Sequence, residues 1–370
     1  MHLLYVSNGY SRHDQNFLTA LGKSISRLSF LALNMSPKQR AVFSNEIPGN
    51  ATLVELKDFP ADLQTAFPQL ASLSRLLAHL KPDATLAGPL HSGAFACALA
   101  KSEKLVSMSW AFDILVDGEL NVALGEANRY ALQHSCGLIY DSEAVAAQIR
   151  SIARGDLQLF RCPWGVDLTQ YSFAAIRQRD LMASLGWTEN DLIFSNRNWF
   201  AAYDVVVAIH AFAEAHSRND KLRMILAGDG PLREEIEQEI RSFRLQDSVL
   251  LARSIDRAQT VAYLHAADVF LSCAPSDGSS VSLLEAMACG ALPIVVDAPG
   301  NREWLSLKTG WLVPAKQPGR FAEAIESAFE MDESGRTARA LTNRQIVESR
   351  ADWAANSARL IAFLHKIADK

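Results

Sequence analysis

Short apolar runs punctuate this chain at near-regular intervals, and the stretches between them carry apolar residues at every third or fourth position. Runs that short read as buried strands, and the 3.6-residue period reads as helix, so strands and helices take turns. In the first half the strands fall at His2–Ser7, Leu28–Leu33, Ala84–Ala87, Lys104–Ser109, Gly137–Tyr140 and Leu157–Arg161. Helical patterns lie between several of them, as at Gln15–Lys23 and Ser92–Ala100, and Asp62–Lys81 reads as an amphipathic core helix. A breaker-rich loop, CPWGVDLTQYS, follows the last of these strands. The alternation then restarts, with strands near Leu192–Ser195, Arg223–Ala227, Ser248–Leu251, Val269–Ser272 and Leu292–Val296. The tail from about Asp352 to Lys370 places Trp353, Leu360, Ile361, Leu364 and Ile367 on one helix face.

Strands alternating with helices predict parallel sheets covered on both faces. The fold class expected is therefore α/β: two doubly wound Rossmann-like domains facing a central cleft. The expected division is one such domain over 1–170, a second over 171–350, and a terminal helix over 351–370. A length of 370 residues suits two such cores. Ligands of doubly wound sheets sit beyond the carboxyl ends of the strands, which predicts a nucleotide-like ligand.

Composition narrows the choice of partner. The hydrophobic share of 49% and charged share of 21% are ordinary for a globular chain. A net charge of −5 argues against a general nucleic-acid binder, which needs a basic face. Cys97, Cys136, Cys162, Cys273 and Cys289 are scattered without metal-ligand spacing, so no metal site is expected and the thiols read as reduced, in a cytoplasmic protein. The opening MHLLYVSNGYSRHDQ lacks the features of a signal peptide, and no run approaches the roughly 18 apolar residues of a spanning helix.

The chemistry concentrates in Ser272–Trp304, SCAPSDGSSVSLLEAMACGALPIVVDAPGNREW. A strand ends, a polar loop with Gly278 follows, and a helix begins near Ser279–Ser282. The backbone N–H groups of Ser279, Ser280 and Val281 would stand free at the helix start, where the helix dipole adds positive charge, and so suit a diphosphate. Asp277 lies in the loop and Glu285 eight positions later. A carboxylate accepts two hydroxyl hydrogen bonds at once, so Glu285 suits a ribose and Asp277 the hydroxyls of a sugar. The competing reading is a capping box, Ser282 with Glu285, which would merely close the helix start.

This segment resembles the family-4 (group 1) retaining glycosyltransferases of the GT-B fold, whose signature is two acids eight positions apart around a glycine run leading into a LEAMA-type helix. Asp277 stands where most members have Glu. LAGDGPLREEI, which contains Gly228, PGNREWL, GWLVPAKQPGRFAEAI and WGVDLTQYS look like further family motifs in family order, and the resemblance covers roughly Leu157–Leu364. It implies a metal-independent hexosyltransferase that needs no cofactor beyond its nucleotide-diphosphate sugar donor, with an acceptor-side domain over 1–170, a nucleotide-sugar domain over 171–350 and a terminal helix over 351–370 that packs back on the first domain. The acceptor would be a glycan, a lipid-linked or a small molecule, and a lipid-linked one would draw the protein to a membrane surface.

The resemblance assigns Arg197, directly after the strand LIFSN, to the donor diphosphate, a role that suits a planar guanidinium. It implies Gly9, in the first strand-to-helix loop, as a point where phosphate or acceptor approaches the backbone. Asp113 falls at a catalytic position, orienting an acceptor hydroxyl, although helix capping accounts for it equally. Two family residues are replaced. Ala202, Tyr203 and Asp204 stand where a lysine is usual, with Arg12 and Arg302 as candidate compensating cations, and Trp110 stands where a histidine is usual. Two other readings stand beside it: a catalytically weakened nucleotide-sugar-binding partner protein, which these departures favour, or a non-hydrolysing nucleotide-sugar epimerase on the same two-domain scaffold. His2 and His91 read as structural.

Overall fold

The computed structural model describes residues 1–46, 50–56, 67–153, 157–174, 176–178 and 180–370. They divide into two compact units: Met1–Pro163 with Ala354–Lys370 (unit 1), and Trp164–Trp353 (unit 2). The chain passes between units at Pro163/Trp164, ahead of the boundary expected after 170. The reason is local. Val166 pairs with Asp352 in an isolated parallel bridge, and a Cβ on Gly165 would lie 2.7 Å from the Ala351 carbonyl, so the WGVD loop is tied into unit 2.

Unit 1 holds, among the described residues, one all-parallel sheet: β1 (His2–Ser7), β2 (Arg27–Ala32), β3 (Ala51–Val54), β4 (Ala84–Ala87), β5 (Leu105–Met108), β6 (Gly137–Tyr140) and β7 (Gln158–Arg161). Its order is β3-β2-β1-β4-β5-β6-β7. Unit 2 repeats the plan with β8 (Asp191–Ser195), β9 (Leu222–Ala227), β10 (Val249–Arg253), β11 (Val269–Ser272), β12 (Leu292–Val296) and β13 (Trp311–Val313), in the order β10-β9-β8-β11-β12-β13. Both units are thus doubly wound α/β sheets. The two strands that periodicity does not mark, β3 and β13, each lie at one edge of a sheet; β7 and β10 hold the other edges. A short edge strand buries little and leaves only a faint apolar signal.

Alternation along the strands divides the core of unit 2 into two layers. Ile193 of β8 packs with Val205, Ile209 and Phe212 of the helix Val205–Arg218, whereas Leu192 and Phe194 face Leu283, Leu284 and Met287 of the helix Val281–Cys289. Each such side chain, fully buried, contributes about 1.5–3 kcal/mol. The helix Trp353–Ala368 lies with unit 1, where Phe363 stacks on Phe160 at 4.8 Å and Asn356 Nδ2 donates to the Pro163 carbonyl at 3.2 Å. Of the helix expected over Asp62–Lys81, positions 62–66 lie outside the described residues and the described helix runs Phe67–Leu80. Among the described residues no helix is long and apolar enough to cross a membrane.

Candidate functional site

In unit 2 the chain winds from β8 toward one edge of the sheet and later returns to lay β11 against the other side of β8. The loops leaving the carboxyl ends of β8 and β11 therefore part in opposite directions and open a crevice, the usual ligand position in such a sheet. Arg197 comes off β8 and Asp277 comes off β11, so the switch point brings together residues 80 positions apart.

The Arg197 guanidinium is held on three sides. Nη1 donates to Ser282 Oγ at 3.1 Å, Nη2 donates to Asp277 Oδ2, and the guanidinium carbon lies 5.0 Å from the centre of the Tyr203 ring. Its Nε is buried without a partner. The side chain is 12% exposed and that of Asp277 is 24% exposed, so a small anion can reach both. A stacked, pre-aligned guanidinium loses little freedom when it binds a phosphate.

The helix Val281–Cys289 begins beside it. Its N-cap is Ser280, with φ −64° and ψ 104°, and no side chain closes the helix start. Ser282 is the second helical residue and not the cap, so the Ser282–Glu285 pair does not form the capping box that the S-x-x-E spacing allowed. Its hydroxyl serves Arg197 instead. No side chain caps the first turn, and the helix dipole favours an anion there. Ser279 and Ser280 are buried at 3% and 4%, and Glu285 is 7% exposed on the same helix. Burial first, then the neighbouring Glu285 charge, pushes the Cys289 thiol up to about 12, so that cysteine is no nucleophile.

Two glycines fix the frame. Gly228, just past β9, has φ +143°, and a Cβ there would lie 2.3 Å from the Arg197 carbonyl, so only glycine lets these two strand ends meet. A Cβ on Gly300 would lie 2.1 Å from the Gly278 carbonyl and 2.3 Å from that of Asp277. The turn after β12 therefore backs the Asp277–Gly278 loop directly. Gly300 and Ser282 escape sequence reasoning because their contacts are long-range, although a glycine after Pro299 was a usable signal. Buried Trp199 completes the frame: its N–H donates to the Asp229 carbonyl at 3.0 Å and its own carbonyl accepts from Leu232 at 3.1 Å.

The replaced lysine leaves an unusual local arrangement. Asp204 takes a left-handed conformation, φ 46°, at the start of the helix Val205–Arg218, makes no side-chain cap bond, and keeps Oδ2 buried without a partner. Arg302, expected as a compensating cation, is instead held by Asp297 through two bonds of 2.6 and 2.8 Å. Arg12 lies in unit 1, exposed at the start of the helix Arg12–Gly22. Among the described residues no group of three or more histidine, cysteine or acidic side chains gathers as a metal site.

Gly9 and Asp113 belong to unit 1. Gly9 leads into a helix whose start is already closed by a capping box: Ser11 N–H donates to Asp14 Oδ2 at 2.7 Å, and Asp14 N–H to Ser11 Oγ at 3.4 Å. A buried carboxylate at that helix start repels phosphate. Asp113 is fully buried and accepts from Ser109 Oγ at 2.7 Å, Trp110 N–H at 3.1 Å and Leu90 N–H at 2.8 Å. It ties the loops after β4 and β5 together and faces no open space. Burial raises its pKa, and those hydrogen bonds partly oppose the rise. His91 Nε2 lies 3.1 Å from Asp117 Oδ2, and His2 Nε2 lies 2.9 Å from Ser29 Oγ.

Comparison with known proteins gives this geometry a context. Residues 178–346 match the sequence profile of the family described as glycosyl transferases group 1, a segment that contains Arg197, Gly228, Asp277 and Glu285. The chain is 28% identical over 143 residues to the alpha-monoglucosyldiacylglycerol synthase of Streptococcus pneumoniae, covering 38% of this chain and 32% of that protein. It spans about a third of the length of the curated relatives it matches. Among solved structures, HepE of Anabaena in complex with UDP-glucose superposes with a TM-score of 0.82 at 20% identity, over 99% of this chain and 100% of that one. The sucrose-phosphate synthase of Thermosynechococcus elongatus gives 0.78 at 15% identity, over 99% of each chain. The fold is that of the GT-B glycosyltransferases.

Proposed function

We infer, from a chain that carries a glycosyl transferases group 1 segment on a GT-B fold, that the protein is a retaining glycosyltransferase moving a hexose-type sugar from a nucleotide-diphosphate donor to an acceptor hydroxyl. The observation that carries the reading is Arg197 beside an uncapped helix start at the switch point of unit 2. In this reading the guanidinium and the first-turn N–H groups near Val281 take the diphosphate. Glu285 takes the ribose hydroxyls, and Asp277 takes hydroxyls of the transferred sugar. The donor is a uridine nucleotide by analogy with the ligand of the HepE complex. The acceptor is a glycan, a lipid-linked or a small molecule, and the reading needs no cofactor beyond the donor.

The chemistry asked of the protein is electrostatic. Charge grows on the leaving diphosphate as the bond to the sugar carbon breaks, and preorganised donors stabilise that charge more than they stabilise the ground state. The acceptor hydroxyl enters on the face the diphosphate leaves, so configuration is kept and the departing phosphate oxygen takes the proton. No side chain needs to act as a covalent nucleophile.

Calorimetry with UDP and UDP-glucose, run beside a donor-hydrolysis assay, tests this. Arg197→Ala should cut turnover by about 10²–10³, the loss typical of removing one preorganised donor. Glu285→Ala should weaken donor binding by roughly tenfold or more, since charged hydrogen bonds contribute about 1.5–3 kcal/mol. Unchanged binding and turnover in both variants sinks the reading. A second reading, a nucleotide-sugar-binding partner with weakened catalysis, draws on Ala202, Tyr203 and Asp204 standing where the resemblance places a lysine. Donor binding without turnover in the unaltered protein would decide for it.

A further inference from the structure

The guanidinium that the proposed function assigns to a diphosphate already has an anion against it. Asp277 Oδ2 accepts from Nη2 of Arg197, Ser282 accepts from Nη1, and only the buried Nε lacks a partner. A diphosphate that makes two parallel bonds across Nη1 and Nη2 meets the Asp277 carboxylate already on Nη2. Two anions on one guanidinium face repel each other strongly where exposure is this low.

The loop cannot solve the conflict by retreating. Gly300 stands against its back, at a distance where a single added carbon would lie 2.1 Å from the Gly278 carbonyl, so the backbone at Asp277 and Gly278 is seated. Relief must come from rotation of the Asp277 side chain. Arg302, two residues past Gly300, is held by Asp297 through two bonds and so does not meet the released carboxylate. Once turned away from Arg197, the Asp277 carboxylate has lost a charged partner in a partly buried place, which is costly unless new donors meet it.

We propose that Asp277 and the donor diphosphate exchange places on Arg197, and that hydroxyls of the transferred sugar then satisfy the released carboxylate. This rests on the nucleotide-sugar reading of the site and extends it to selectivity. A bare nucleoside diphosphate displaces Asp277 but offers it nothing, so Asp277 weakens the product nucleotide relative to the intact donor. After transfer, the carboxylate returns to Arg197 and helps to expel the nucleotide.

The test is calorimetry on the full chain and on Asp277→Asn, a change that keeps the side-chain shape and removes its charge. The titrants are UDP, GDP and ADP, their glucose conjugates, and UDP-N-acetylglucosamine, and the readout is the ratio of the two dissociation constants, nucleotide over tightest nucleotide sugar. In Asp277→Asn the bare nucleotide should bind about tenfold tighter, a change on the scale of one charged hydrogen bond, while the nucleotide sugar gains nothing. Melting of the nucleotide-free variant within about two degrees of the original shows that its loop is intact, the range expected of a change costing less than 1 kcal/mol. Equal tightening of nucleotide and nucleotide sugar would mean simple removal of a repelling charge and would overturn the exchange. So would unchanged nucleotide affinity. If the unaltered protein binds none of the titrants, the functional reading itself fails, and the exchange with it.

Discussion

The two units share a strand plan and use it to opposite ends. Each places its first strand beside its fourth, β1 against β4 in unit 1 and β8 against β11 in unit 2, so each owns a switch point with a crevice beyond it. In unit 2 the helix Val281–Cys289 starts without a side-chain cap and an arginine stands next to it. In unit 1 the helix Arg12–Gly22 starts under a full capping box, and Asp14 also accepts from the Tyr5 hydroxyl at 2.7 Å. The loops after β4 and β5 are pinned by Asp113, whose oxygens are occupied by buried donors. One switch point thus sets an arginine, itself paired with Asp277, beside a helix start that no side chain caps, whereas the other has its helix start closed by a carboxylate. Topology supplies two equivalent crevices, and the polar residues at each make them differ: an arginine beside an uncapped helix in unit 2, a buried carboxylate at the helix start in unit 1.

The comparison can be broken most forcefully at Asp113. Asp113→Ala leaves the Leu90 and Trp110 N–H groups and the Ser109 hydroxyl without their acceptor, and should cost about 3 kcal/mol of stability at about 1–3 kcal/mol for each orphaned group after partial relaxation. Urea unfolding measures that loss. Calorimetry should show UDP affinity of the folded variant altered less than threefold, and a large loss of affinity would mean that the pinned loops of unit 1 do serve the donor. Gly300→Ala is the matching change in unit 2. Its methyl group meets the Gly278 and Asp277 carbonyls, so overpacking of about 1–3 kcal/mol must displace the loop. Here the donor affinity should fall at least as clearly as the stability, and a stability loss with unchanged donor affinity would detach the loop from the site.

The smallest effect is one in which the units should behave alike. His2 in unit 1 and His216 in unit 2 both have lowered pKa values, chiefly from burial and then from Arg27 and Arg223 respectively. The unfolded chain takes up these protons near the ordinary value of about 6.5, and the folded chain only at lower pH. Between those points the unfolded state binds more protons, so the stabilising contribution is complete above the ordinary value and declines as pH falls below it. Unfolding followed from pH 7.5 to 5.5 should show a shallower slope in His2→Gln and in His216→Gln than in the unaltered chain. Slopes unchanged in both would remove the two imidazoles from the acid response.

Much of this was legible along the chain because it is local. The strand runs of both sheets, the order of the glycine-containing motifs, and Arg197 at a strand end all follow from apolar spacing or from neighbouring residues. The strands β3 and β13 were not, being only four and three residues long and mostly half-buried. Nor was the choice between a capping box and an open helix at Ser282–Glu285. The same four residues fit both, and the decision depends on where the first helical turn begins, which the close packing of Gly300 against the preceding loop constrains from outside the segment.

What this chain settles by itself, then, is periodicity and motif order: two doubly wound sheets and a loop-to-helix segment with acids on either side of its start. Tertiary structure alone decided which carboxylates stay available. Arg197 meets Asp277 and Ser282 across 80 and 85 positions, and Asp113 reaches Leu90 across 23. A carboxylate's role is set by the donor that arrives at it first in space, and spacing along a sequence carries no record of that distance.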